Sequence, residues 1–435
     1  MKRRFLFVGV AGTVVLSLLA AWFFSGGDLN EYAGRLDAVR ASARAEGLPL
    51  SLSEVETRSA LSPSLNAAPV IAAAHAATEA VGREYDAPED EGIEALRASL
   101  DGFEDAIDAW SAAGSYKECK FEREWELGSE VFFPELRQLK DGARLLLADA
   151  RLARLDEDLD RWKVRVSEAR QLGRHAATDP TTIAGLVRLA IDEMVLSEIA
   201  EALQAGSGSK ETIEACQAAL DEPYGVEDIL YGLRFDNASV YVFIDEFQKK
   251  RFKERLEMAF SPQAVFSYPL HMNADAANEA AWLEVTMLMQ SVISEHRGDW
   301  PGLLEAIEGF DDRHVANRNP SHRIVIQFFT LPEKLVEKYC KAEALRRIMF
   351  VSAIAFDYRR ENRQFPDRLP VLGEMATDPF SGRPFLYDNL GLGFAVYSVG
   401  PDRIDGGGLT EPGLATDGDD IGFRSEPSST DADNS

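Results

Sequence analysis

The sequence predicts a mainly α-helical protein: an irregular extracytoplasmic helical bundle, with a solenoid of helix pairs as the alternative. One N-terminal transmembrane helix precedes it, and a small C-terminal α+β module follows it. Three observations predict this. Residues 5–24 are an uncharged apolar run. From 28 to 362, apolar residues recur mostly at three- and four-residue steps, the period of one helix face. After Pro366 the pattern changes to turn formers and short alternating stretches, the signature of a small sheet.

Lys2, Arg3 and Arg4 precede the apolar run, whose only polar residues are Thr13 and Ser17. A helix of that length spans roughly 30 Å, the thickness of a bilayer's hydrocarbon core. The basic leader 1–4 is expected to stay in the cytoplasm and the rest to lie outside. This gives a single-pass inner-membrane protein with its bulk in the periplasm. Trp22, Phe23 and Phe24 close the run and suit a membrane interface; the alternative is a cleaved secretory signal.

The chain has 435 residues, enough for two or three domains. Its formal charge of -27 repels nucleic acid and anionic lipid, so a DNA- or RNA-binding role is disfavoured. Calcium is the partner that acidic loops invite. The three cysteines, Cys119, Cys216 and Cys340, form no C-x-x-C pair. Cys216 and Cys340 fall on apolar helical faces and read as buried thiols.

Helices follow in order. Residues 28–46 carry Leu29, Tyr32, Leu36 and Val39 at helical spacing, and Gly47-Leu48-Pro49 ends them. Ser62-Pro63 is expected to open an alanine-rich helix through Val81, with serine as cap. Residues 93–113 read as one helix, with Leu96, Leu100, Phe103, Ile107 and Trp110 on a face. The stretch 114–133 is irregular and aromatic. Pro134 opens a stripe of Leu136, Leu139, Ala143 and Leu146. A second helix covers about 155–175, and a third starts at a Thr178-Asp179-Pro180 cap. Ser209 is placed to cap the next. Further helices are read over 225–258, 274–296 and 300–308. Lys249, Lys250, Arg251, Lys253 and Arg255 form a solvated basic face. A long helix over 333–362 ends before Pro366.

The last part is more specific. Tyr358 to Pro366 reads YRRENRQFP. Asp378 to Tyr387 reads DPFSGRPFLY, and Gly393 to Asp402 reads GFAVYSVGPD. Asp405-Gly406-Gly407-Gly408 and Asp417-Gly418-Asp419-Asp420-Ile421 follow. Phe385/Tyr387 and Phe394/Val396 alternate as a half-buried antiparallel pair does. Strands are expected over 384–387 and 394–399. The loop 400–421 reads as too long and too polar to be held by a core. Residues 424–435 read as a disordered acidic tail.

In this order the pieces over 340–423 resemble the soluble part of the type II secretion major pseudopilin. The resemblance implies a long helix packed on a small sheet, and an Asp/Gly loop that binds calcium. By position it matches Asp402 to the family's first loop aspartate and Asp417, Asp419 and Asp420 to its last acidic cluster; with Asp405 in the same loop these are the candidate metal ligands, and residues 409–416 are inserted between the two clusters. Calcium takes six to eight oxygens, and glycines let backbone carbonyls turn inward. The resemblance does not reach the N-terminus: a pseudopilin carries a glutamate early in its apolar run, and 5–24 has none. The rest of the chain, through Gly47-Leu48-Pro49-Leu50 and Asn66-Ala67-Ala68, resembles membrane-anchored bacterial envelope proteins carrying such a tail.

No metalloprotease, phosphate-loop, dinucleotide or nucleophile-elbow motif is present. Asp311, Asp312, His314 and His322 crowd one polar stretch and read as surface residues. Glu122, Glu124 and Glu126 read as an exposed alternation rather than a glycosidase pair. No catalytic residue, organic cofactor or small-molecule substrate is identified. The expected organisation is leader 1–4, anchor 5–24, helical domain 28–330, pseudopilin-like module 331–423 and tail 424–435. The expected function is a non-enzymatic envelope scaffold whose partners are the membrane and envelope or secretion proteins. A secretion-machine component, and a hydrolase whose site is scattered along the chain, are the alternatives.

Overall fold

The computed structural model describes residues 26–56, 59–86, 92–205, 209–249, 275–310, 313, 331–370 and 372–425. The predicted anchor 5–24 lies outside them, as do Asp311, Asp312, His314, His322, residues 250–255 and the tail from 426. Among the described residues no helix is long and apolar enough to cross a membrane.

The chain is mainly helical, with one four-stranded antiparallel sheet at its C-terminal end. Helices α1 (Gly26–Ala45), α2 (Ala68–Ala80), α3 (Ile93–Leu100) and α4 (Glu104–Gly114) come first. Then follow α5 (Pro134–Leu155), α6 (Leu159–Ala176), α7 (Thr182–Ala205) and α8 (Lys210–Ala219). Helices α9 (Val226–Lys249), α10 (Asp275–Glu295), α11 (Trp300–Glu308) and α12 (Leu331–Asn362) follow among the described residues.

Local chemistry sets many of the boundaries. Asp158, Ser209 and Asp299 each accept a backbone N–H in the first turn of α6, α8 and α11, from Arg161, Thr212 and Gly302. Pro69, Pro134 and Pro301 sit in first turns, where a missing N–H costs nothing. Two expectations need correction. Ser62 and Pro63 do not open α2; they form a separate turn closed by the Leu65 N–H on the Ser62 carbonyl, and the helix starts at Ala68. The stretch 93–113 is two helices, because Gly102 at φ 81° turns the chain between them.

Helices α5, α6 and α7 form the centre, each packed against the other two. Helix α4 lies on α5 and α6 and is covered by α2, while α9 and α10 pack together, with α1 against α10. Helix α12 packs on α7, α8 and α11 and also carries the sheet. The strands are β1 (Leu386–Asn389), β2 (Phe394–Ser398), β3 (Gly413–Ala415) and β4 (Ile421–Arg424), in spatial order β1-β2-β4-β3. Phe356 of α12 meets Phe365, Phe394 and Phe423 edge-on, with ring centroids 5.5–6.2 Å apart. One continuous core runs from Val39 to Phe423, so the long helix belongs to both the helical body and the sheet.

The loop 400–421 is therefore not a free excursion. It contains β3 and leads into β4, whose register sets Val396 opposite Phe423. Order also continues past 423: Arg424 ends β4, and Ser425 exchanges hydrogen bonds with the backbone of Phe394.

Candidate functional site

The five predicted aspartates do not form one cluster. Asp402 is exposed and accepts the Ile404 N–H at 3.0 Å. Asp405 accepts the Gly407 N–H at 2.9 Å and lies 3.5 Å from the Tyr397 hydroxyl. Asp417 is 3.3 Å from Lys341 Nζ on α12. Asp419 is exposed. Asp420 is buried, and its two oxygens accept the N–H groups of Gly406 at 3.2 Å and Gly408 at 2.8 Å. Only Asp405 and Asp420 converge, beside Tyr397. Burial first, then the charges of Asp405, Asp388 and Asp420, push that phenol up to about 12. Among the described residues no group of three or more His, Cys, Asp or Glu is arranged to hold a metal. The donors as placed do not fit a calcium cage: only two carboxylates converge, and the buried one already accepts two backbone amides.

The other sequence candidates are dispersed. Glu122, Glu124 and Glu126 are all exposed. His175 is buried with Nε2 3.3 Å from the Ala113 carbonyl oxygen, and burial lowers it to about 4. The three cysteines are buried and none is in a disulfide; burial pushes Cys216 up to about 12.

A different place concentrates charge. Helices α6, α7, α9, α10 and α12 enclose a cleft of about 680 Å³. Helix α7 supplies Arg188 and α6 supplies Arg174, while Glu222 comes from the α8–α9 connection, Asp228 and Arg234 from α9 and Tyr339 from α12. Arg188 donates to Asp228 at 2.8 Å and lies 3.6 Å from Asp192, one turn along the same helix. Arg174 donates to Glu222 at 2.7 Å. Tyr224 donates to Asp192 beneath the cleft floor, and its ring lies under the Arg188 guanidinium, 5.2 Å away. Arg234 holds the end of α1 by donating to the carbonyls of Gly47 and Glu54.

Burial and pairing compete at each of these groups. Burial raises the Asp192 carboxyl, and Arg188 and Tyr224 pull it back only in part. Burial alone would lower Arg188, but Asp192 and Asp228 more than reverse this and hold it firmly protonated. Glu222 sits below the usual carboxylate range, because Arg174, Arg188 and Arg170 together outweigh its burial. Beside the cleft, buried Glu343 accepts from Arg346 and Arg347 and from the Tyr224 N–H. Arg347 reaches on to the Glu374 carboxylate and the Thr377 carbonyl, and so ties the cleft's helix to the segment entering the sheet.

Sequence reasoning missed this cleft. Its signal was present as charged residues inside apolar stripes: Arg188 between Val187 and Leu189, Asp192 after Ile191, and Glu343 between Ala342 and Ala344. Such residues are almost never buried unless paired, but the partners come from helices far apart in sequence. No protein-family model matches the chain, and no curated protein or solved structure is significantly similar to it.

Proposed function

We propose that this chain is a non-enzymatic, membrane-anchored envelope protein whose helical body is a recognition module. Residues 5–24 anchor it, and the long helix with its sheet is a pseudopilin-like unit built into the body. The observation that carries the recognition role is the cleft. Its charges are locked into defined pairs, Arg174 with Glu222 and Arg188 with Asp228, which orients donors without freeing a base. The buried histidine and thiols are spent on packing elsewhere. A four-stranded antiparallel sheet resting on a long helix supports the pilin-like reading of residues 340–423. Calcium forms no part of this proposal, because the aspartates as placed do not fit it.

The test is topological. Alkaline phosphatase fused after residue 30, or after residue 425, is expected to be active, and washed membranes should retain the full chain. An inactive fusion at both points would put the body in the cytosol and end the envelope reading.

A further inference from the structure

The charges that line the cleft are already paired. Arg174 is matched with Glu222, Arg188 with Asp228, Asp179 with Arg123 and Glu227 with Arg297. Arg234 donates to two backbone carbonyls, and Glu46 is exposed to water. An ion entering here would have to break one of these pairs or lie unmatched beside them. A neutral ligand meets no such cost.

What the pairs leave unused is hydrogen-bonding capacity of both kinds. Arg188 Nη2 and Glu222 Oε1 lie 4.0 Å apart, too far for a hydrogen bond, and neither atom has a hydrogen-bond partner among the described residues. A hydroxyl oxygen about 2.8 Å from each would close that gap, accepting from the guanidinium and donating to the carboxylate. A carboxylate cannot donate there, and an ammonium cannot accept. Tyr339 is 2% exposed and lines the same cavity, and its hydroxyl has no hydrogen-bond partner among the described residues. Buried hydroxyls are nearly always paired. The half-buried Gln290 amide in the lining has none either. Leu230 and Tyr231 give the wall an apolar part, and a 2.7 Å bond from the Tyr231 hydroxyl to the Thr178 carbonyl fixes that ring.

A ligand suited to these groups carries no charge, donates and accepts at several points, and has an apolar side for Tyr231. We infer that the cleft binds a neutral saccharide, one hydroxyl bridging Arg188 Nη2 and Glu222 Oε1 and others meeting Tyr339 and Gln290. The cavity of about 680 Å³ leaves room for a short chain of sugar rings. This inference rests on reading the helical body as a recognition module, and it adds the ligand class.

The experiment is a melting titration of the full chain in a detergent without a sugar headgroup. The probes are glucose, galactose, maltose, cellobiose and chitobiose, with acetate, ammonium and acetamide as controls. Molar sugar stabilises any fold by exclusion from its surface, so the signal is a rise that saturates at millimolar concentration. At least one sugar should give it, and no control should. Tyr339→Phe should weaken that binding about tenfold, the worth of one good hydrogen bond. Gln290→Met, of similar size, should also weaken it. Neither variant should melt differently without ligand, because neither group has a partner to lose.

A saturable rise with acetate or ammonium alone would show an ion site and overturn the proposal, and acetamide alone would show an amide site and do the same. Undiminished sugar binding by both variants would place the sugar elsewhere. No saturable rise with any probe would mean that only water fills the gap. The phosphatase fusions report on anchoring separately, so that outcome leaves the envelope reading to stand or fall on its own test.

Discussion

Single residues decide where this protein is sensitive to acid. His175 is neutral when folded, with its proton affinity lowered by burial from 6.5 to about 4. The folded chain therefore binds fewer protons than the unfolded chain between those two values. Stability is complete above 6.5, falls as pH drops through that window, and stops changing below about 4. The size is about 3 kcal/mol. Urea denaturation at pH 7 and pH 5 should show the loss, and His175→Gln should flatten it; equal slopes in both proteins would refute the assignment. A second residue-scale prediction concerns Glu157, which has φ 60° in the turn between α5 and α6. Glycine adopts that conformation without a Cβ penalty, so Glu157→Gly should stabilise the chain by about 1 kcal/mol in the same measurement. The burial of Cys216 and Cys340 was legible from the periodicity of their helices. The conformation of Glu157 was not, because a turn set by the meeting of two helices leaves no mark on a glutamate.

At the scale of elements, most helices were legible because their apolar stripes and caps agree. The exceptions have physical causes. Residues 93–113 keep one apolar face across a glycine break, so periodicity alone joins what Gly102 separates. The loop 400–421 looked polar because β3 is only three residues long and β4 four, too short to show alternation. The aspartates came as a ligand set from the resemblance, yet Asp402 and Asp405 accept N–H groups two residues on, the ordinary use of aspartate in turns, and Asp420 accepts those of Gly406 and Gly408. Asp420→Ala should therefore leave two loop amides unpaired and cost about 2 kcal/mol, measured by chemical denaturation. Millimolar calcium should leave the melting temperature of the full chain unchanged, and a saturable rise would restore the metal site. On α12, Glu343→Ala would strand two buried guanidinium groups and should cost about 3 kcal/mol or more. A loss below 1 kcal/mol would mean that Leu220, Glu374 and Thr377 satisfy both arginines without it.

At the scale of the whole molecule, the sequence suggested a boundary near 330, where composition changes. Packing crosses that position: the inner face of α12, with Tyr339, Cys340 and Ile348, is buried in the core that also holds α7 and α8. A fragment of residues 331–425 would expose that face to water. It is expected to stay largely unfolded by circular dichroism, while the full chain melts in one cooperative transition. A stably folded fragment would show that the sheet unit is autonomous. Sharing one helix also has a mechanical consequence. Tyr339 and Phe356 are rigidly spaced on a single rod, about 25 Å apart. The strands and one wall of the cleft are thus carried by the two ends of one helix, so their spacing is fixed by a single element.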